Sequence, residues 1–531
     1  MKLNKYFLIG AMGLSLFACS DELDGNGAQD GNQPQEGTTY AAISLKFGNA
    51  TTARAIGDGP TTGKDDVGDG NEADIKTVRL IVANAGDNKV EYNQLYTKDD
   101  ETNPTQNGKY VFAIQPGEKK IYAFVNEETG NDLGVKAAVN SIWDGTTSTV
   151  TKKAGDLGTY NGTSGQGTPF VMSVTEVEKW DILSGVTKEQ AEAGTKNRVD
   201  LNVERMVAKV TVKLNGALVA DGGFADQPVT LTALTAQIGN ADNITYDKNG
   251  SDDAAKYKSP AASYRIAHDV NNVRQTPAEY YNYADQTTDF YADFNRAKLL
   301  SGNPESLYEP NATEKNPQTR FYCLENTHIT YVQANTTFVS VAATMTANKV
   351  VKITYKKAEG TEGQDGYKAE EITPTTNNEN TTAGTFYLIE NAPNHELIGG
   401  YILESELAGL YGTENDDITS GNETEPAKKA EAVIAELGKN NRGYAFSDPY
   451  TGGKGYFNVW VNDLKDANGN YTNKAPVFRN DWYALTINNI KLPGNPTPDI
   501  DPEKPLHPDT NIGVTVTVKA WNVVKHDIDL Q

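Results

Sequence analysis

The sequence predicts an all-β protein: two Greek-key β-sandwich domains in tandem, with few short helices. Three observations predict it. Short runs of β-branched and aromatic residues recur along the chain, separated by clusters of Gly, Asn, Asp and Pro that favour turns. Helical periodicity surfaces at only two places, Thr187–Gln190 and Pro426–Leu437. The strand runs are not interleaved with the regular helices that a βαβ fold requires.

The chain opens with Lys2 and Lys5, an apolar run from Phe7 to Phe17, and Leu16-Phe17-Ala18-Cys19. That run is too short to span a bilayer as a mature helix. A small residue before a lone cysteine suits cleavage there and lipidation of the thiol, so residues 1–18 read as a signal peptide and Cys19 as a palmitate-bearing lipoprotein anchor. Ser20-Asp21-Glu22 follows at once and resembles the surface-export signal of Bacteroidetes lipoproteins.

Asp21 to Thr39 has almost nothing apolar and reads as a tether. Tyr40 to Phe47 then alternates, with Ala41, Ile43, Leu45 and Phe47 on one face, which predicts the first strand. A polar stretch from Gly48 to Glu72 holds Ala53-Arg54-Ala55, one basic residue between small ones, where a protease can bind extended backbone. Strands are predicted at Ile75–Val82, Lys109–Gln115 and Lys120–Val125, the last two joined through Pro116-Gly117 as a meander. One long strand is predicted from Val203 to Leu214, with the main domain boundary in the Gly/Asp/Ala-rich Asn215–Gln227.

Further strands are predicted near Val229–Ile238, Phe338–Met345, Val350–Tyr355, Thr385–Ile389, Tyr456–Val461 and Trp482–Ile490. Pro426–Leu437 places Ala430, Val433, Ile434 and Leu437 on one helical face, with proline at its start and Gly438 after it. Thr187 and Gln190 have the spacing of a capping box. Six prolines between Pro493 and Pro508 read as a stiff spacer. Beyond it Ile512 to Val518 alternates, and the pattern runs on through Trp521 and Val524 to Ile528 and Leu530. This terminal strand has two readings: it folds back on its own sheet, or it pairs with another molecule.

Composition excludes several functions. The 531 residues give room for two to four domains, and 71 acidic against 48 basic residues leave a net charge of −23, which repels phosphate backbones and argues against nucleic acid as a partner. With two cysteines, one of them Cys19, no disulfide framework exists and Cys323 reads as a buried free thiol. No later run reaches the roughly 18 apolar residues of a membrane span. None of the five histidines stands in a His-Glu-x-x-His pattern or beside a Gly-x-Ser-x-Gly elbow, so no catalytic residue is assigned and no enzyme is predicted. Gly162–Gly167 lacks a phosphate-loop lysine. Neither Asp58, Asp65, Asp66 and Asp69 nor Asp463, Asp466 and Asn468 fits an EF-hand, and no metal or cofactor is predicted. The cluster Tyr280, Tyr281, Tyr283, Phe290, Tyr291 and Phe294 reads as a loop packed over a sheet edge, with a glycan or receptor platform as the alternative.

Several short segments together resemble the Bacteroidetes type V fimbrillins. They are the Met1-Lys2-Leu3-Asn4-Lys5 start and the lipobox, Ala53-Arg54-Ala55, Val203-Glu204-Arg205, Ala278–Tyr283, Val477-Phe478-Arg479-Asn480 and the Trp521–Leu530 ending. The likeness is greatest to the shaft subunit of the short, or minor, fimbriae. It implies two transthyretin-like sandwiches, a lipidated precursor at the outer membrane, and an arginine-specific protease that cuts between Arg54 and Ala55. Residues 19–54 would leave as a propeptide with the first strand, Ile43, Leu45 and Phe47 included. Residues 55–220 and 221–492 would form the two domains. Residues 493–531 would supply the spacer and a donor strand with Trp521, Val524, Ile528 and Leu530.

The implied partners are copies of the chain itself head to tail, anchor and tip or accessory subunits, the protease, and host or bacterial surface receptors. The implied role is a structural subunit of an extracellular fimbrium, polymerised by donor-strand exchange and supporting adhesion and biofilm formation. The alternatives are a monomeric surface lipoprotein that binds glycans and a tip or accessory adhesin.

Overall fold

The computed structural model describes residues 37–47, 66–67, 70–97, 109–127, 137–143, 149–151, 154–161, 166–174, 179–220, 229–241, 244–246, 300–308, 319–326, 336–347, 349–356, 366–372, 384–393, 397–412, 422–439, 442–463, 468–498 and 512–522, with single residues 135, 331, 333, 465, 500 and 506. The protein is all-β with a few short helices.

The first half supplies β1 (Thr39–Phe47), β2 (Asp66–Val67), β3 (Thr77–Asn84), β4 (Val90–Thr97), β5 (Lys109–Ile114), β6 (Gly117–Val125) and β7 (Thr149–Thr151). It continues with β8 (Met172–Val174), β9 (Lys179–Ile182), α1 (Lys188–Glu192) and β10 (Arg198–Arg205). One sheet runs in the order β4-β3-β6-β8-β10-β1-β5, with β9 beside β6. The sheet curls until its ends face each other. Tyr92 of β4 stacks on Phe112 of β5 with ring centroids 4.4 Å apart, and Tyr96 meets Tyr110 at 4.9 Å. Ile43, Leu80, Val82, Ile121, Val125 and Val203 fill the core between them.

The expected meander through Pro116-Gly117 does not form. β5 pairs with β1, and β6 pairs with β3, β8 and β9. The aromatic face of β5 is buried against β4 across the core, which sets β5 at the far end of the sheet and not next to β6. α1 carries the predicted capping box: Thr187 accepts from the Gln190 amide and Gln190 accepts from the Thr187 amide.

The second half supplies β11 (Ala208–Ala220), β12 (Val229–Gly239), β13 (Ile244–Tyr246), β14 (Leu300–Tyr308), β15 (Thr319–Cys323) and β16 (Phe338–Ala347). It then gives β17 (Val350–Lys356), β18 (Gly366–Ile372), β19 (Phe386–Asn391), β20 (Tyr401–Leu403), α2 (Glu404–Ala408) and α3 (Pro426–Leu437). It closes with β21 (Ala445–Phe446), β22 (Lys454–Trp460), β23 (Asp481–Ile490) and β24 (Ile512–Asn522). Sheets β15-β11-β23-β24-β2 and β14-β12-β16-β22 share one core, in which Val210, Val212, Val341, Met345, Phe457 and Leu485 meet. Cys323 is buried there, outside any disulfide. The hairpin β17–β18 and strands β19 to β21 build a side unit with α2 and α3 around Val351, Ile389, Leu407, Val433 and Leu437.

The single strand expected from Val203 to Leu214 is two strands in two different sheets. β10 ends at Arg205, and β11 starts at Ala208 beside β23. The chain changes sheets at Met206 and Val207, earlier than the expected Asn215–Gln227 stretch and the limit at residue 220. Both residues are fully buried in a layer with Phe124, Phe170, Leu324 and Trp521. Apolar residues therefore run on through the crossing and hide it from a period-2 reading.

Candidate functional site

β1 lies inside the curled sheet, parallel to β10 on one side and antiparallel to β5 on the other, so that Ile43 faces Val199 and Tyr110. Ala41, Ala42 and Ile43 are all fully buried. Ala41 and Ile43 enter the core, while Ala42 packs the other way with Val111, Val186 and Ala191, beneath α1. Two faces in use explain why small residues stand here. Leu45 is half-buried against the core, and the side chain of Phe47 lies outside the described residues.

The start of β1 is clamped by polar groups. The Tyr40 amide donates to Val186 O at 3.0 Å and the Ala42 amide to Asn197 O at 2.8 Å. Asn197 donates through Nδ2 to Tyr40 O at 2.9 Å and to Leu183 O at 2.8 Å, and the Thr39 hydroxyl accepts from the Val186 amide at 2.9 Å. Among the described residues β5 pairs with β1 alone. Withdrawing β1 would thus part β10 from β5 and expose two backbone ladders and the Ala41–Ile43 socket.

The C-terminal strand is held quite differently. β24 pairs antiparallel with β23 of its own sandwich from Ile512 to Ala520, so the fold-back reading holds for this stretch. The described part of the proline-rich stretch before it, residues 493–498 with 500 and 506, is pinned to the body. Asn495 exchanges backbone hydrogen bonds with Tyr456 at 2.8 and 2.9 Å, Tyr450 donates to Gly494 O at 2.9 Å, and Leu506 is buried beside Phe338 and Trp460. Gly455 permits this contact, since a Cβ there would stand 1.6 Å from Pro493 O.

Trp521, expected on the donated strand, is fully buried in its own molecule. It packs against Phe170 and Tyr322, with centroids 5.6 and 5.8 Å away, and the Arg205 guanidinium lies 4.0 Å over its ring. Arg205 Nη1 donates to Trp521 O at 2.6 Å, and the Trp521 amide donates to Asn480 O at 3.1 Å. Arg205 Nε donates to Glu72 O at 2.9 Å. The Glu72 carboxylate accepts from Lys209 Nζ at 2.8 Å and from the Tyr322 hydroxyl at 2.5 Å. Glu72, Arg205, Lys209 and Trp521 are each no more than 2% exposed. Burial pulls the Arg205 guanidinium down to about 10, opposed by Glu72, and pushes the Tyr322 hydroxyl well up. β2 completes the cluster, with Asp66 and Val67 facing Trp521 and Asn522 in a parallel pair.

Two of the resembling segments thus meet here, Arg205 from one and Asn480 from the other, while Arg479 pairs with buried Glu325. Sequence reasoning did not find Glu72, Lys209 or Tyr322, which lie far apart along the chain and share no local pattern. Cys19, Arg54, Ala55, Val524, Ile528, Leu530 and the Tyr280–Phe294 cluster lie outside the described residues, as do Asp58, Asp65, Asp69 and Asp466.

Residues 448–527, from before β22 through β24, match the family described as major fimbrial subunit protein type IV, fimbrillin, C-terminal. The chain is also 25% identical over 340 residues to the minor fimbrium subunit Mfa1 of Porphyromonas gingivalis, covering 56% of this chain and 65% of the relative, just under two thirds of its length. Among solved structures, a fimbrilin from Porphyromonas gingivalis W83 aligns over 92% of this chain and 99% of its own, at 14% identity and a TM-score of 0.39. The tip fimbrial protein Mfa3 from the same species aligns over 91% and 100%, at 10% identity and a TM-score of 0.31.

Proposed function

We propose that this chain is a structural subunit of a surface fimbrium that polymerises by donor-strand exchange. The observation that carries the reading is the place of β1: it is built into a core, yet in sequence it precedes Arg54. In this reading the precursor is exported and lipidated at Cys19, which holds it at the outer-membrane surface. An arginine-specific protease cuts between Arg54 and Ala55. β1 then departs with Ile43, Leu45 and Phe47, and the slot between β10 and β5 opens.

The C-terminal segment of another copy fills the slot. Val524, Ile528 and Leu530 supply the apolar anchors, each contributing about 1.5–3 kcal/mol on burial, with a backbone ladder in addition. The contact is head to tail and does not close, so it makes a filament. Anchor and tip or accessory subunits are its other assembly partners, surface receptors its adhesion targets, and adhesion and biofilm formation its role. In this reading the first domain begins at residue 55 and the second ends at residue 492, with the crossing between their sheets at 206–207.

The test treats purified precursor with an arginine-specific protease, sequences the new N-terminus and looks for SDS-resistant ladders. Ladders with a start at Ala55 support the reading. Clean cleavage that yields only monomer, in wild type and in a chain lacking residues 523–531 alike, points to a monomeric glycan-binding lipoprotein.

A further inference from the structure

The buried cluster around Glu72 joins three segments distant in sequence. Glu72 belongs to the stretch that follows the Arg54 loop, Arg205 and Lys209 flank the crossing between sheets, and Trp521 is next to the last described residue of the terminal strand. As a source of stability it is poorly suited. Among the described residues Arg205 Nη2 and Trp521 Nε1 are buried donors with no acceptor, and a buried ion network with unmet donors contributes little over apolar packing of the same volume. What such a network does well is permit a single arrangement, because displacing any member strands a charge away from water.

That arrangement fixes the position of Trp521, the next-to-last described residue of the terminal strand. The Trp521 ring is clamped between Arg205 and the Phe170–Tyr322 pair, and its amide and carbonyl are both hydrogen-bonded. Nine residues follow Asn522, Val523 to Gln531, and β1 is also nine residues long. An extended segment of that length reaches about 30 Å, the span of β1 itself.

We infer that Glu72, Arg205, Lys209 and Trp521 are positioning residues that set the exit of the donated segment and thereby the stiffness of the subunit-to-subunit joint, the occupant of the joint being the Val523–Gln531 segment of a second copy. This rests on the strand-exchange reading. It makes Trp521 the fixed root of the donor and not one of its inserted anchors.

The experiment uses full-length precursor cut with an arginine-specific protease, comparing wild type with Trp521→Ala, Glu72→Gln and Trp521→Phe. Two quantities are read: the yield of SDS-resistant ladders and the bending of filaments in electron micrographs. Trp521→Ala and Glu72→Gln are expected to keep forming ladders, while filament persistence length falls by at least about twofold as the linkage gains freedom. Trp521→Phe, which restores an aromatic ring at the clamp, should recover much of it. Unchanged bending in folded Trp521→Ala and Glu72→Gln chains overturns the inference while leaving strand exchange intact. Loss of ladders in these variants also overturns it, since the residues would then be needed for insertion itself. Absence of ladders in wild type defeats strand exchange and takes this inference with it. Glu72→Gln preserves side-chain shape and decides the matter if Trp521→Ala does not fold.

Discussion

The two terminal strands make the instructive comparison. β1 and β24 have similar length and apolar character and both are held by backbone ladders, but β24 alone is also tied at its end to a buried ion cluster. β1 sits between two strands, one pairing parallel and one antiparallel, and among the described residues side-chain hydrogen bonds gather around its first residues. β24 has β23 along nearly its whole length, a strap pinned to β22 before it, and a buried ion cluster at its end. A strand held by ladders can be exchanged for another of the same shape, because backbone hydrogen bonds carry no identity. A strand rooted in a unique set of charges cannot.

The largest test of that contrast is all-or-none. Arg54→Ala should leave a folded monomer that protease does not convert to ladders, and deletion of Val523–Gln531 should give a chain that is cut yet stays monomeric; ladders from either would erase the distinction between the two ends. Next comes Ile43→Ala. Emptying this fully buried site should cost the precursor about 3 kcal/mol in a denaturant melt and leave the cleaved, tail-deleted subunit unchanged. An equal loss in both forms would mean that β1 stays bound after cleavage.

A smaller effect is expected from Asn197→Ala, which removes the clamp on Tyr40 and Leu183 at a position with φ of 48°, a conformation Asn tolerates better than Ala. The precursor should lose about 2 kcal/mol, again by melting. The smallest concerns Asp463, just after β22. Burial raises the Asp463 carboxyl from its ordinary 3.8 to about 6, opposed by Lys465. The folded state therefore holds the proton more tightly than the unfolded one, so stability is present at acid pH and lost as pH rises from about 4 to 6. Asp463→Asn should gain about 1 kcal/mol at pH 7 after solvent screening, with the gain vanishing near pH 4. Ladder yield should not move, which separates general stability from the behaviour of the termini.

How much of this was legible in sequence followed the range of the interactions. β1, α1 with its Thr187–Gln190 box, and α3 with its proline and Gly438 are written in local patterns, and each forms where those patterns place it. The place of β5 was not legible, since Pro116-Gly117 signals a turn but says nothing of which strand an aromatic face will meet. The crossing at Met206–Val207 was masked by continuous apolar residues. The cluster at Glu72 was invisible for a stronger reason: its members gain their meaning only when residues more than a hundred positions apart are brought together, and a lone glutamate in a polar loop looks solvated.

The antiparallel and parallel neighbours of β1 have one last consequence. Under the strand-exchange proposal, a replacement that keeps both ladders must run in the same direction as β1, so every link in a chain of subunits has the same sense. Such a fibre has two chemically distinct ends, one presenting an empty socket and the other an unused tail. Growth at one end stops only when a molecule arrives that brings a tail but no socket, and at the other only when one brings a socket but no tail. Length control then belongs to the stoichiometry of those two kinds of terminator and not to the affinity of the repeating joint.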